Sequence, residues 1–403
     1  MDLRSGYPYW TVRGGLLGAF PPMREDLECD VAIVGAGITG ALIGWRLQQD
    51  GYRVVVLDRR EACWGSTSAS TAMLQYELDT ELHALARMRD TDDAVLAYRA
   101  CVDALNAVGR IARRFRDCGY AETESLYFAG HRFHRGRIDR EYAMRREHGL
   151  DVERLEEDAL RERYGLDAPC ALLTRPAARV DPYRFAHALL RAIRRRGGQV
   201  FDRTPMARFD VRPRGVTVES EDGPRVRARH LVIAGGYESQ RYIDERVAAN
   251  RSSYAFVTEP LPAARRLADV LVWETARPYL YLRHTDDGRL LVGGADDRVD
   301  IPARRDAVVA TRARSLVDRV QRFFPGLEPK PAWSWGGTFA ETRDGLPFLD
   351  SHEQHGPRVL FAMAYGGNGI VYAQLAAEIF SARLRRHAHP CDRITSFARL
   401  RRG

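Results

Sequence analysis

The hydrophobic and polar positions of residues 31–60 predict a strand, a helix and a second strand in quick succession. Residues 31–34 form a short apolar run without a breaker, which is typical of a strand buried on both faces. Ile38, Leu42, Trp45 and Leu47 follow at roughly helical spacing, and Asp50-Gly51 ends the helix. Residues 53–57 are again β-rich, and Asp58 ends that run.

A glycine-rich turn joins the first strand to the helix, with the sequence Gly35-Ala36-Gly37-Ile38-Thr39-Gly40. Gly35 permits the tight turn, Gly37 lets backbone approach a pyrophosphate, and Gly40 lets the helix lie close to the strand. An acid about 20 residues further on accepts from ribose hydroxyls, and Asp58 stands there. The pattern favours dinucleotide binding over a glycine-rich turn that binds nothing, and it leaves NAD and FAD both open.

A run of small residues follows the second strand. A flexible linker is one interpretation, but the run begins within reach of the nucleotide, and its hydroxyls can bond phosphates or ribityl oxygens. We therefore favour a loop that contacts the cofactor, formed by Gly65, Ser66, Thr67, Ser68, Ala69, Ser70 and Thr71.

The rest of the chain alternates helical and β-rich patterns. Residues 80–118 and 139–164 read as helical, and Asp181-Pro182 predicts an N-cap and first turn for a helix through Arg196. Residues 227–234 form an apolar strand that ends at Ala234-Gly235-Gly236, a second return to the nucleotide sheet. Residues 253–259, 279–284 and 289–294 predict further strands, and residues 1–27 a lead-in laid across the surface.

Composition narrows the class of protein. The length of 403 residues allows two or three domains, and the hydrophobic content of 45% is enough for their cores. The net charge of +8 is spread over many arginines, with Lys330 the only lysine, so we favour a solvated surface over a nucleic-acid site. The six cysteines show no metal-ligand spacing, and no run suggests a signal peptide or a transmembrane span. These features predict a cytoplasmic protein without a metal.

The order of these motifs resembles the D-amino-acid oxidase superfamily of FAD-dependent oxidoreductases, from about Cys29 to Arg383. Besides the elements above, it includes Trp-x-Gly-x-x-x-x-Thr-x-Asp-Gly-x-Pro from Trp335 and Gly-Gly-Asn-Gly-Ile from Gly366. The sequence is especially similar to the branch with glycine and sarcosine oxidases and γ-glutamylputrescine oxidoreductase. The resemblance implies an α/β (α+β) fold. A discontinuous Rossmann-like FAD-binding domain (28–90, 175–245 and 333–390) would carry an inserted antiparallel-sheet substrate domain (91–174 and 246–332).

The resemblance also implies FAD, rather than NAD, as the cofactor. The glycine turn would hold the pyrophosphate, Asp58 would bind the adenosine ribose, and Met206 would offer adenine a backbone contact. Arg59 would also be a cofactor-binding residue. The Gly65–Thr71 loop would line the pyrophosphate and the flavin. At the flavin end, the resemblance places Ala234, Gly235, Gly236, Gly366, Gly367, Asn368, Gly369 and Ile370.

Three departures from the family pattern bear on chemistry. Phe339 stands where α-amino-acid oxidases of this branch carry an Arg that holds the substrate carboxylate. Either Arg283 replaces that Arg or the substrate lacks an α-carboxylate. The chain lacks the Cys or His that links FAD covalently, so we expect non-covalent FAD. No lysine lies on the strand at 289–294, which favours a dehydrogenase or a slow oxidase.

The predicted reaction is hydride transfer from the carbon bearing a small-molecule amine to flavin N5, followed by imine hydrolysis. Candidate substrate contacts are Tyr365, Arg283, Tyr281, Gln75 and Phe339, although tyrosines of this kind are also common in cores. Two alternatives stay open. One is an amino-acid oxidase or dehydrogenase of the glycine, sarcosine, proline or D-amino-acid type, and the other is a flavin-containing RNA-modifying or partner-binding module. The sequence leaves the electron acceptor, oxygen or a carrier, undetermined.

Overall fold

The computed structural model describes residues 3–298 and 301–402. Their contacts form two compact units, each assembled from three chain segments. We call residues 14–68, 181–249 and 340–402 the parallel-sheet unit, and residues 3–13, 69–180 and 250–339 the antiparallel-sheet unit. Among the described helices, none has both the length and the apolar character that crossing a membrane requires.

The parallel-sheet unit is built on a mixed sheet whose central strands run parallel. From one edge to the other, the strands are Phe348–Ser351, Val359–Met363, Arg225–Ile233, Leu27–Val34, Val54–Leu57 and Gln199–Phe201, and the first is antiparallel to the second. Met206–Arg212 and Gly215–Ser220 add an antiparallel meander to Arg225–Ile233. Val54–Leu57 and Val359–Met363 are wholly apolar, and Leu27–Val34 and Arg225–Ile233 are apolar in their last residues, as expected where a strand is covered on both faces.

Helices cover this sheet. Ile38–Gln49 packs against both Pro182–Arg195 and Gly369–Leu384. The Asp181 carboxylate caps the Pro182–Arg195 helix by accepting from the Tyr183 and Arg184 amides, which confirms the predicted start of that helix. Shorter helices are Ser66–Ala69, whose last residue belongs to the other unit, Asp392–Thr395, and the 3₁₀ helices Gly236–Tyr242 and Phe397–Arg402.

The antiparallel-sheet unit contains a long mixed sheet. Its strand order is Arg4–Ser5, Pro331–Glu341, Ala249–Pro260, Arg289–Asp297, Leu280–His284, Val270–Glu274, Ala121–Phe128, Cys170–Arg179 and Met73–Gln75, with Val152–Glu156 paired to Cys170–Arg179. Its α-helices are Tyr9–Gly14, Leu82–Met88, Thr91–Ala112, Arg135–Glu147, Glu157–Tyr164 and Pro302–Phe323, and its 3₁₀ helices are Arg116–Cys118, Arg132–His134 and Pro262–Leu267. One core cluster joins this sheet to the long Pro302–Phe323 helix.

Several stretches differ from the sequence-based assignment. Residues 175–180 and 333–339, assigned to the FAD-binding segments, lie in the antiparallel-sheet unit. Residues 69–90, assigned to the FAD-binding segments, lie in the antiparallel-sheet unit, because Met73–Gln75 pairs with Cys170–Arg179. The first 27 residues are not simply a surface lead-in. Arg4–Ser5 pairs with the Pro331–Glu341 strand, and Trp10 and Phe20 are buried.

Candidate cofactor and substrate site

The carboxyl ends of the parallel strands bring four predicted segments to one edge of the parallel-sheet unit. Leu27–Val34 leads into the glycine turn, Val54–Leu57 into Asp58, Arg225–Ile233 into Ala234-Gly235-Gly236, and Val359–Met363 into the segment at 364–370. The helices Ile38–Gln49 and Gly369–Leu384 both begin at this edge. Parallel sheets bind ligands outside such strand ends, and helix N-termini favour anions.

The glycine turn has no room for side chains at its three glycines. Gly35 has a φ of +114°, and a Cβ there would lie 2.2 Å from the Ala234 carbonyl oxygen. A Cβ on Gly40 would lie 1.8 Å from the Gly35 oxygen, and one on Gly37 would lie 2.9 Å from Thr67 Oγ1. Gly35 and Gly40 thus lie against neighbouring backbone, and Gly37 lies against Thr67; the approach of Gly37 to a pyrophosphate stays a prediction.

Asp58 and Thr67 both contact this turn. The Asp58 carboxylate accepts from the Ala36 amide at 2.7 Å and from the Arg60 amide at 2.8 Å. Desolvation raises the pKa of the Asp58 carboxyl, and these two hydrogen bonds oppose the rise. Thr67 Oγ1 accepts from the Ile38 amide at 2.9 Å, so the small-residue loop touches the start of the helix.

Glu238 is a neighbour that the sequence analysis missed. Its carboxylate pairs with the guanidinium groups of both Arg59 and Arg60. Glu238 lies in the 3₁₀ helix Gly236–Tyr242, which follows the strand Arg225–Ile233. Its ion pairs with Arg59 and Arg60 therefore connect the end of that strand to the end of Val54–Leu57. Glu238 and the two arginines are far apart in the sequence and meet only in the fold, so no local sequence pattern predicts the contact.

The remaining predicted cofactor residues follow from the same strand ends. Gly236 has a φ of +60° and Gly366 one of +99°, so both turns use backbone conformations that favour glycine. Asn368 is the N-cap residue of Gly369–Leu384, with Gly367 before it and Ile370 buried. Met206 begins a strand two residues after Thr204, whose amide donates to the Asp58 carbonyl.

Tyr365 is a buried residue of the parallel-sheet unit. It is 1% exposed, and its hydroxyl donates to the Gly236 carbonyl at 3.2 Å. Burial raises the pKa of this hydroxyl well above its ordinary value, so it remains a donor. The geometry gives Tyr365 a role in holding the Gly236 turn, and a direct substrate contact stays a prediction.

Arg283 and Tyr281 lie on the same strand of the antiparallel-sheet unit. The Arg283 side chain is 2% exposed and donates to the carbonyls of Thr71 (2.7 Å) and Val180 (3.0 Å). Tyr281 is half-buried, and its hydroxyl lies 3.1 Å from Ser253 Oγ. Arg283 thus holds backbone in this structure, and its predicted role as a carboxylate clamp stays a prediction that these contacts do not support.

Gln75 and Phe339 lie at strand positions of the same unit. Gln75 ends Met73–Gln75 opposite Ala177, and Phe339 is half-buried in Pro331–Glu341. Along that strand Phe339 alternates with Thr338, whose hydroxyl accepts from the buried Arg305 guanidinium at 2.8 Å. Arg305 therefore lies on the face opposite to Phe339 and does not substitute for the family's Arg there.

The chain has relatives of known name over almost its whole length. It is 25% identical to the γ-glutamylputrescine oxidoreductase of Escherichia coli, over 97% of this chain and 91% of that protein. It is 26% identical to a glycine oxidase of Bacillus licheniformis, over 87% of this chain and 92% of that protein.

The fold is also that of a solved glycine oxidase. The crystal structure of glycine oxidase from Geobacillus kaustophilus superposes with a TM-score of 0.76 at 21% identity, covering 90% of this chain and 96% of that one. The predicted α/β class and FAD as cofactor are thereby confirmed. The family model for FAD dependent oxidoreductases matches residues 30–383, and the chain therefore belongs to the DAO family of FAD-dependent oxidoreductases.

Proposed function

We propose that this enzyme oxidises the C–N bond of an amine or polyamine derivative that carries no α-carboxylate at the reacting carbon. FAD supplies the acceptor for a hydride, two electrons and a proton, taken from the carbon next to nitrogen. The imine product then hydrolyses in water to a carbonyl compound and a free amine. The observation that carries the proposal is Phe339, an apolar side chain at the motif position where a carboxylate-binding Arg is expected.

The residues at the edge of the parallel sheet fit the nucleotide half of FAD. Gly37 offers no side-chain cap to the Ile38–Gln49 helix, and Thr67 Oγ1 accepts only from the first amide, that of Ile38. The next amides, those of Thr39 and Gly40, have the chemistry that a pyrophosphate needs. Asp58 keeps lone pairs for ribose hydroxyls, because each oxygen accepts one backbone hydrogen bond. The N-terminus of Gly369–Leu384 would favour negative charge on the flavin.

The contacts of Arg283 support the absence of an α-carboxylate. Its guanidinium is buried and donates to two backbone carbonyls, so the protein's own backbone already holds it in place. An unpaired carboxylate beside the phenyl ring of Phe339 would lose water without a compensating cation, which costs several kcal/mol. An amine whose reacting carbon bears only hydrogen or carbon avoids that penalty.

Oxidation of an amino acid is the second candidate. It is favoured by the similarity to glycine oxidases of two organisms, one in sequence and one in fold. This candidate requires the Arg283 guanidinium, which already donates to the Thr71 and Val180 carbonyls, to bind the substrate carboxylate as well. Arg283→Ala would then raise KM for carboxylated substrates selectively.

Anaerobic bleaching of the flavin distinguishes the two candidates. Each amine is paired with its α-carboxylated counterpart, for example a monoacylated diamine with the matching acylated diamino acid. We expect the uncarboxylated member to reduce the flavin at least tenfold faster. Faster reduction by carboxylated members, or no reduction by any amine, would remove the proposal.

A pair of Phe339 variants sharpens this experiment. Phe339→Arg restores a guanidinium at the motif position and should shift the preference towards carboxylated substrates by about tenfold or more, the scale of one charge-assisted hydrogen bond. Phe339→Leu is the matched control, because it alters the ring without adding charge. Equal preferences in both variants would show that this position does not read the carboxylate.

We also propose that the reduced enzyme passes electrons to a carrier faster than to oxygen. The Arg289–Asp297 strand carries no lysine, and Lys330 is exposed just before the Pro331–Glu341 strand. A stopped-flow comparison of reoxidation by oxygen and by an artificial quinone tests this. Faster reoxidation by air-level oxygen would contradict it.

A further inference from the structure

Three consecutive carbonyls of the small-residue loop each accept a hydrogen bond from a buried side chain. Trp335 Nε1 donates to the Ala69 carbonyl at 2.9 Å, and Trp10 Nε1 donates to the Ser70 carbonyl at 2.7 Å. Arg283 Nε donates to the Thr71 carbonyl at 2.7 Å. All of these groups belong to the antiparallel-sheet unit. We call the three donors, Trp10, Trp335 and Arg283, the carbonyl clamp.

The members of the clamp are buried, and two of them contact each other. The three side chains are 1–2% exposed. The Arg283 guanidinium lies 5.0 Å from the centre of the Trp10 ring, within range of a cation–π contact. Arg283 is fixed further by the Val180 carbonyl at 3.0 Å. Hydrogen bonds among buried groups of this kind are electrostatically stronger than they would be in water.

Fixing the carbonyls also fixes the amides between them. In a trans peptide the C=O of one residue and the N–H of the next point in opposite directions. The clamp therefore turns the Ser70 and Thr71 amides away from its buried side. Residues 69–71 are themselves half-buried, so part of the segment stays open.

We propose that the carbonyl clamp positions residues 69–71 against the bound flavin, with their carbonyl dipoles held away from it and the Ser70 and Thr71 amides presented to it. Trp10 is the unexpected member, since it comes from the Tyr9–Gly14 helix, outside the residues 30–383 that the family model matches. The inference rests on the proposed placement of the small-residue loop at the flavin. Amides facing the flavin stabilise negative charge on it, whereas carbonyls turned towards it would oppose that charge.

The N-terminal segment is attached strongly enough to serve as such a support. Arg4–Ser5 pairs with Pro331–Glu341, and the Tyr9 hydroxyl donates to Asp287 at 2.7 Å. Arg13 forms an ion pair with Asp286. Trp10 is thus held in the same unit as the loop that it supports.

The test replaces Trp10 by Phe, which keeps an aromatic ring but removes the indole donor. Trp333→Phe is the matched control, because Trp333 is a half-buried Trp of the Pro331–Glu341 strand outside the clamp, stacked under Arg289. The measurements are the FAD dissociation constant of the apoprotein, the visible spectrum and the midpoint potential of the bound flavin. None of these depends on knowing the substrate.

We expect Trp10→Phe to weaken FAD binding about three- to tenfold, the loss of one hydrogen bond, and to lower the flavin midpoint potential. Trp333→Phe should change neither. Identical affinity, spectrum and potential in the two variants would overturn the inference. So would unfolding of the Trp10→Phe apoprotein, because the residue would then support the fold as a whole.

Trp335→Phe gives a second, independent measurement, since it removes the donor to Ala69. It should alter the same three properties in the same direction. A failure here leaves the proposed function intact if amines still bleach the flavin of the wild-type enzyme. Conversely, a wild-type flavin that no amine reduces removes the proposed function without touching the effect of the clamp on FAD binding.

Discussion

Replacing Gly40 by Ala tests the structural reason for the glycine turn. A Cβ at this position would lie 1.8 Å from the Gly35 carbonyl oxygen, whereas ordinary contacts begin at 3.4 Å. The two groups must therefore separate by more than 1 Å. The Gly35 side of the contact is anchored, because its amide donates to the Leu57 carbonyl at 2.7 Å and its α-carbon abuts the Ala234 carbonyl.

The helix must therefore move instead of the turn, and the cost of that movement determines how much unfolding free energy is lost. Forcing a group into a packed site costs about 1–3 kcal/mol, and backbone against backbone belongs at the upper end. Because alanine is a better helix former than glycine, the substitution also stabilises the helix by about 1 kcal/mol. We therefore expect a net loss of about 2 kcal/mol in unfolding free energy. A shift of about 1 Å also takes first-turn amides beyond hydrogen-bonding distance of a phosphate, which would weaken FAD binding about 100-fold if two such bonds are lost.

Gly44→Ala, one turn later in the same helix, is the matched control. Its Cβ would meet the methyl ends of Ile193 at 3.0 Å and of Ile33 at 3.3 Å, which are flexible side chains. Urea unfolding of the apoproteins and titration with FAD, followed by flavin fluorescence, measure both effects. Gly40→Ala and Gly44→Ala variants that agree within about 0.5 kcal/mol and twofold in FAD affinity would refute the steric argument.

Three further predictions concern charged or titratable groups. Desolvation lowers the pKa of the buried His187 to about 4, so between pH 6.5 and pH 4 the unfolded chain binds a proton that the folded chain does not. The free energy of unfolding should therefore fall by about 3 kcal/mol as the pH drops from 6.5 to 4. This pH dependence should weaken in His187→Phe and persist in His387→Gln, the control at an exposed histidine. Arg145→Met leaves the Glu141 carboxylate buried without its cation and should cost about 3–5 kcal/mol in thermal or urea unfolding, partly recovered when Glu141→Gln is added. Asp58→Asn should weaken FAD binding about tenfold in the same fluorescence titration, because an amide has one acceptor oxygen where the carboxylate uses both.

The nucleotide end of the site was predictable because its signals are local. The strand, turn, helix and acid from Leu27–Val34 to Asp58 follow one another within about 30 residues, as a dinucleotide fold requires. The Asp181-Pro182 helix start is equally local, since an N-cap bonds its own first turn. Such patterns leave little for distant contacts to decide.

The antiparallel-sheet unit was harder, because its strands depend on partners far away in sequence. Val152–Glu156 lies in a charged stretch that read as helical, yet it pairs with Cys170–Arg179 along its full length. Val270–Glu274 also went unpredicted, and it is set by the parallel partner Ala121–Phe128 and the antiparallel partner Leu280–His284. Strand preference is largely a matter of such neighbours, which a single sequence does not reveal.

The roles of side chains were likewise predictable where they depend on local sequence and not where they depend on distant contacts. Arg283 was recognisable as a cation on a candidate substrate strand, but its partners are carbonyls more than 100 residues away in the chain, at Thr71 and Val180. These two hydrogen bonds give Arg283 a structural role, whatever it contributes to substrate binding. The proposed preference for an amine over an amino acid therefore rests on Phe339, an apolar residue at the motif position, and the backbone contacts of Arg283 are consistent with it.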